Sequence, residues 1–305
     1  MLASLTGVAT VAAQDEDLPT VGVGSKDFTE QIVLAEMVAL LLEDAGYPVD
    51  RQINLGGTVV AHEALVNGDI DIYVEYTGTA LLAILGLEPL DSDVEDASSS
   101  ATPAAVGPDE VYDIVSTEYD EQFGLTWLQP WGFNNTYAMA VTQETADEYG
   151  LETISDLEGA SGELTLGATQ EFLVRPDGLP GITDLYGFDF GNAIGLDPGL
   201  VYAALESGDS DVITATATDG RIPALGLVVL EDDMGFFPPY YAAPVVDSEL
   251  LADHPEIGEI LNQLAGTIDD AAMADLNFQV DDGGMEERDV ARAYLEEQGL
   301  IGGED

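Results

Sequence analysis

The sequence has no cysteine, only two histidines and a single lysine, Lys26. Without cysteine there can be no disulfide, thiol nucleophile or thiolate metal site. His62 falls in a helical run and His254 precedes Pro255 in a loop. Nothing in that spacing suggests a shared site, which argues against a histidine triad or a zinc centre. No acidic cluster has the spacing of a calcium loop, so no metal or cofactor is expected. Positive charge is scarcest of all: five arginines and Lys26 face 60 acidic residues, a formal charge of −54 over 305 residues. The acids are spread along the whole chain and do not form a tail. Such a surface repels nucleic acid and anionic membranes. Its self-repulsion is relieved at molar salt, where the Debye length is roughly 3 Å, and the charge reads as adaptation to a hypersaline medium.

Leu2 to Ala13 are apolar and small, and the first acid is Asp15. Residues 1–17 therefore read as an export signal lacking its charged start. Leu5-Thr6-Gly7-Val8 resembles a lipoprotein box with valine where the lipidated cysteine would stand. No other stretch is long and apolar enough to span a membrane. The expected location is outside the cytoplasm, secreted or tethered to the outer face of the cell membrane.

With 46% apolar residues the chain can fill a core, and its length suits two domains or lobes. Strands are predicted at 20–24 and 49–55, a strongly apolar helix at 29–45, and a helix from Thr58 to Val66. Ile70-Asp71-Ile72 opens a third strand, which runs into Tyr73-Val-Glu-Tyr-Thr-Gly-Thr79. This β-α-β-α-β order begins a doubly wound α/β lobe. Gly78 allows a turn, and Thr77 or Thr79 can cap a helix over 80–85. Tyr76 and Thr79 then sit at the C-terminal end of a strand, where open α/β sheets bind ligands. A tyrosine there offers a π face to a cation, and a threonine offers a hydroxyl to an anion. A packed aromatic and a helix cap would explain the same two residues.

Residues 88–109 read as a solvated surface loop, followed by a helix from Pro108 to Gln122 and a strand at 125–128. Trp131 to Tyr137 and Phe236 to Tyr241 look like two crossing segments. Ala64-Leu-Val-Asn-Gly-Asp-Ile-Asp71 matches Ala204-Leu-Glu-Ser-Gly-Asp-Ser-Asp211 at an offset of 140. Carried on, the register pairs Tyr76 with Thr216 and Thr79 with Asp219, so two similar lobes are expected to aim corresponding strand ends at one cleft. Helices are expected at 257–268, 271–276 and 285–298. Arg288 and Arg292 read as surface ion pairs with Glu286, Glu287 and Glu297.

Lys26 follows a strand at the head of a helix, and Arg175 lies in the turn-rich Gln170-Glu-Phe-Leu-Val-Arg-Pro-Asp-Gly-Leu-Pro180. A guanidinium there can clamp a carboxylate bidentately. A structural ion pair is the alternative for both, and the main expectation for Arg51, Arg288 and Arg292.

Seven motifs occur in order: Val23-Gly-Ser-Lys-Asp-Phe-Thr-Glu-Gln31, Gly56-Gly-Thr58, Tyr73–Thr79, Phe133-Asn-Asn-Thr-Tyr137, Arg175-Pro-Asp-Gly-Leu-Pro180, Thr218-Asp-Gly-Arg221 and Pro238-Pro-Tyr240. Together they resemble the substrate-binding proteins of glycine betaine/choline/osmoprotectant ABC importers. The resemblance implies an α/β, two-lobed periplasmic-binding-protein fold (type II) with two hinge crossings and the ligand cleft between lobes. Lobe 1 would comprise 18–133 and 237–305, and lobe 2 would comprise 134–236. It implies a monomer without enzymatic activity that hands a small quaternary ammonium ligand to a membrane permease. Glycine betaine is the first expectation; choline, another betaine, or a ligand-sensing role are the alternatives. In the family, tyrosines box the trimethylammonium group and a lysine, an arginine and a threonine hold the carboxylate. Tyr76, Tyr137 and Tyr240 match three box tyrosines, and Lys26, Arg175 and Thr79 match the carboxylate set. The fourth box position falls on Thr216, which has no π face.

Overall fold

Val21 to Gly24 are buried without a break, as expected of a parallel strand covered on both faces. The computed structural model describes residues 18–87 and 107–302. The expected export remnant and most of the loop at 88–109 lie outside the described residues. Ten strands, β1 Val21–Gly24, β2 Val49–Gln52, β3 Ile72–Tyr76, β4 Leu125–Trp127, β5 Tyr137–Val141, β6 Thr165–Thr169, β7 Asn192–Leu196, β8 Val212–Thr216, β9 Val228–Leu230 and β10 Ala242–Asp247, form two sheets. The first runs β2-β1-β3-β10-β4 and the second β7-β6-β8-β5-β9. In each, three parallel strands are followed by an antiparallel pair.

The internal repeat is thus built into the architecture. Asp71 accepts the Gly22 N–H at 2.6 Å, and Asp211 accepts the Thr165 N–H at 2.8 Å. Each carboxylate fastens the start of its strand to the neighbouring parallel strand. Gly68 and Gly208 end the preceding helices with φ of +73° and +76°, which glycine reaches without strain.

Helix α1, Thr29–Asp44, is buried on almost every side. A helix that is apolar all round belongs in a core, and α1 lies between the first sheet and the helix Glu287–Glu297. That packing redirects Arg288. Its guanidinium reaches Glu43 at 3.3 Å and Glu36 at 4.0 Å on α1, not the acids of its own helix. Arg51 joins the same two acids, with Nε 2.9 Å from Glu36.

The helical turn after β3 also differs from expectation. It begins at Thr77 without a side-chain cap. Thr77 Oγ1 instead donates to the Pro239 carbonyl at 2.9 Å and accepts the Tyr241 N–H at 3.0 Å. The next residues, Ala80–Ile84, are wound as a π-helix. In the C-terminal part, Glu256–Leu261 is shorter than expected and Asp270–Asp281 longer.

The chain passes from the first sheet to the second between β4 and β5 and returns between β9 and β10. These passages run side by side: Asn134 bridges Tyr241, and the Asn135 N–H donates to the Tyr240 carbonyl at 3.1 Å. Within the first sheet Tyr76 pairs with Ala242, and within the second Thr216 pairs with Tyr137. No helix among the described residues is long and apolar enough to cross a membrane.

His62, on α2 (Thr58–Val66), is buried edge-on to Phe123, 4.7 Å between ring centroids. Burial, helped by the Lys26 charge, lowers its pKa from 6.5 to about 4. The unfolded chain takes up this proton first, so stability present above pH 6.5 drains away as pH falls toward 4. By pH 4.5 this one group should cost roughly 2–3 kcal/mol. His62→Phe should remove that part of the acid sensitivity. Urea unfolding at pH 7 and 4.5, at fixed molar salt, checks it; equal losses in both proteins would refute the assignment.

Candidate functional site

Between the two sheets lies a cavity of about 410 Å³. Lys26, Tyr76 and Thr79 line it from the first sheet, Tyr137, Arg175 and Thr216 from the second, and Tyr240 from the returning passage. All seven residues singled out in the sequence therefore share one wall system. Gly78 lets Tyr240 approach, since a Cβ there would stand 2.8 Å from its ring.

Both central cations are already paired. Lys26 Nζ is 2.6 Å from Glu75 Oε1 and 3.1 Å from Thr58 Oγ1. Arg175 makes a bidentate pair with Asp177, with Nε 2.7 Å from Oδ1. Its remaining N–H groups reach Thr79 Oγ1 at 3.2 Å, Thr58 Oγ1 at 3.3 Å and Glu171 at 3.4 Å. Lys26, Glu75, Arg175 and Asp177 are all buried. Both cations thus form the structural ion pair that was the alternative reading, and both also line the cavity. Thr58 Oγ1 accepts from both, and its hydroxyl is turned toward the Glu171 carboxylate, which it helps to stabilise. That hydroxyl lines the cavity.

Glu171 reaches across from the second sheet. It accepts the Thr58 N–H at 3.2 Å, at the positive end of α2. Burial alone would raise its carboxyl; the Lys26 and Arg175 charges and the Thr58 hydrogen bonds outweigh burial and hold it below the usual range.

Phe28 stacks on Tyr76 at 6.2 Å, and Tyr137 meets Tyr240 edge to face at 5.5 Å. Thr216 adds no ring, but Tyr202, from the helix Val201–Ser207, lines the cavity near that side. The Arg221 guanidinium covers one face of Tyr202 at 4.0 Å and is braced by Asp219 and Asp281.

Sequence reasoning missed Thr58, Glu75, Asp177, Glu171 and Tyr202. Two of these left a signal. Glu75 stands inside an apolar strand and so had to be neutralised, with the lone lysine as a partner. Asp177 follows Arg175 by two residues.

Over residues 19–297 the chain matches the family model for the substrate binding domain of the ABC-type glycine betaine transport system. The chain belongs to this family. The substrate-binding domain is 36% identical over 293 residues to a glycine-betaine-binding protein of Pseudomonas aeruginosa, covering 92% of the chain and 89% of that protein. It is 37% identical over 286 residues to the ergothioneine transport permease/ergothioneine binding protein EgtU of Helicobacter pylori, covering 93% of the chain. It spans only 48% of that relative's length. The solved structure of a glycine betaine/carnitine/choline ABC transporter protein superposes with a TM-score of 0.71 at 36% identity, over 92% of this chain and 99% of that one. The fold is that of the two-lobed periplasmic binding proteins.

Removing one member of a buried ion pair leaves the other charged and unpaired. Glu75→Ala should therefore cost the substrate-binding domain roughly 3–5 kcal/mol in urea unfolding. Lys26→Met combined with Glu75→Leu should recover most of that loss. A double variant as unstable as the single one would show that the two charges do not act as a pair.

Proposed function

We propose that this protein is the extracytoplasmic solute-binding component of an ABC importer, and that it captures a quaternary ammonium osmoprotectant, with glycine betaine as the preferred ligand. The observation that carries this reading is the union, in one cavity, of tyrosine rings with a Lys26–Thr58–Arg175–Thr79 cluster of donors.

A quaternary ammonium ion has no N–H to donate, so aromatic faces suit it better than carboxylates do. Tyr76, Tyr137 and Tyr240 would give about 2 kcal/mol each when desolvated, about 6 together. The ligand carboxylate would share the Lys26, Arg175 and Thr58 donors, at roughly 1.5–3 kcal/mol per charge-assisted bond. Glu75 and Asp177 balance the two cations and Glu171 adds a further carboxylate, so the cluster offers well-placed donors without surplus positive charge. After the costs of association and closure, micromolar affinity, about −8 kcal/mol, is reasonable.

In this reading lobe 1 (18–133 and 237–305) and lobe 2 (134–236) close by bending at the paired passages, and Glu171 meeting Thr58 is a closing contact. The protein binds without turnover, acts as a monomer, sits outside the cytoplasm secreted or tethered, and delivers its ligand to a membrane permease. A closed cleft also protects these contacts from the salt that screens surface pairs.

Calorimetric titration in molar KCl should give micromolar binding of glycine betaine and proline betaine, and much weaker binding of choline. Tyr76→Ala should weaken betaine at least about tenfold. Arg175→Lys, which keeps the charge but loses the fork, should do about the same. Choline binding alone would overturn the carboxylate half of the proposal. No binding of any of the three by folded protein would overturn all of it.

A further inference from the structure

Glu30, near the start of α1, is 3% exposed. Its carboxylate collects hydrogen bonds from four parts of the chain. Oε1 accepts the Tyr76 hydroxyl at 2.7 Å and Asn135 Nδ2 at 2.7 Å. Oε2 accepts the Thr218 hydroxyl at 2.5 Å and Asn277 Nδ2 at 2.9 Å. Burial raises the carboxyl above its ordinary value, and these bonds only partly offset it. An amide N–H on each oxygen favours the acceptor, ionised form.

Glu30 makes no ion pair among the described residues. Lys26, whose Nζ lies 5.3 Å from the centre of the Tyr76 ring, is committed to Glu75. Asp177 is the instructive contrast. It too accepts a cleft tyrosine, the Tyr240 hydroxyl at 2.7 Å, but its charge is cancelled by Arg175. A buried carboxylate without a counter-charge is costly, and buried charges are normally paired. The missing positive charge belongs on the cavity side of Tyr76.

We propose that Glu30 is a positioning and charge-selecting residue for the cationic ligand, acting through Tyr76. It fixes the ring by its hydroxyl. The phenol's hydrogen bond to a carboxylate pushes electron density onto the ring and deepens the negative π face. The unbalanced charge behind the ring completes the attraction. The cleft thereby selects a fixed positive charge over a neutral group of the same shape. This inference rests on the reading that the cleft takes a quaternary ammonium ligand.

The test compares glycine betaine with 3,3-dimethylbutyrate, which keeps the carboxylate and shape but replaces N⁺ by carbon. Wild type, Glu30→Gln and Tyr76→Phe are titrated with betaine, and dimethylbutyrate is measured in competition. Glu30→Gln should lower the betaine-to-dimethylbutyrate affinity ratio about tenfold and change dimethylbutyrate affinity less than about threefold, in protein that urea unfolding shows to be folded. Tyr76→Phe keeps the ring and the charge but breaks the hydroxyl link, and should lower the ratio about threefold. Both ligands weakened equally by Glu30→Gln would reduce Glu30 to a structural part and overturn the proposal. If Glu30→Gln does not fold, an unchanged ratio in Tyr76→Phe overturns it. Failure of the wild type to bind betaine at all would instead sink the quaternary ammonium reading itself.

Discussion

The Thr58 hydroxyl is where the two halves of the cleft meet. It accepts from Lys26, which follows a strand of the first sheet, and from Arg175, which follows a strand of the second. Each cation carries its own buried acid, so two ion pairs and a shared hydroxyl span the cavity. Taking charges out of water is expensive, and it is repaid only when every partner is in place. That requirement fixes much around it. Glu75 must lie in the middle of β3, Asp177 must follow Arg175 through the proline turn, and α2 must begin at Thr58. The tyrosine rings then fill the space that these fixed groups leave.

Much of this was legible in the sequence because it is local or periodic. The β-α-β-α-β order and the offset of 140 between Gly68-Asp69 and Gly208-Asp209 follow from short-range pattern. The sheets realise that offset as a shared strand order. The scarcity of cations drew attention to Lys26 and Arg175. What stayed hidden depends on partners far apart in sequence. Glu30 meets Thr218 and Asn277 across 188 and 247 positions, and no pattern around Glu30 announces either. Thr77 looked like a helix cap, yet its hydroxyl serves the returning passage, where Pro239 offers a carbonyl and Tyr241 an N–H. Arg288 has acids on its own helix, but the packing of that helix onto α1 offers it Glu43 instead.

The surface and the cleft obey opposite charge rules. Over the whole chain 60 acids stand against 6 cations, and most of that excess faces solvent, where the acids repel one another and salt screens them. Inside, Lys26 and Arg175 are each paired with a buried acid and Glu171 adds a third carboxylate beside Arg175, so the donor cluster has no surplus positive charge. Such a cluster discriminates by geometry and desolvation more than by net charge, and those terms survive in concentrated salt. Steering of ligand from a distance would not survive there, since the Debye length at molar salt is roughly 3 Å.

Thr216 limits what the aromatic side can contribute. A tyrosine there would add a fourth π face; threonine adds only a hydroxyl, and one face of the nearby Tyr202 is covered by Arg221. On the proposed reading Tyr76, Tyr137 and Tyr240 would supply about 6 kcal/mol, less than the roughly 8 kcal/mol of a micromolar complex before any association cost is counted. The deficit has to come from the Thr58, Lys26 and Arg175 end. A ligand that engages only one end therefore falls short, and a zwitterion whose two charges are a few bonds apart is the chemistry that engages both.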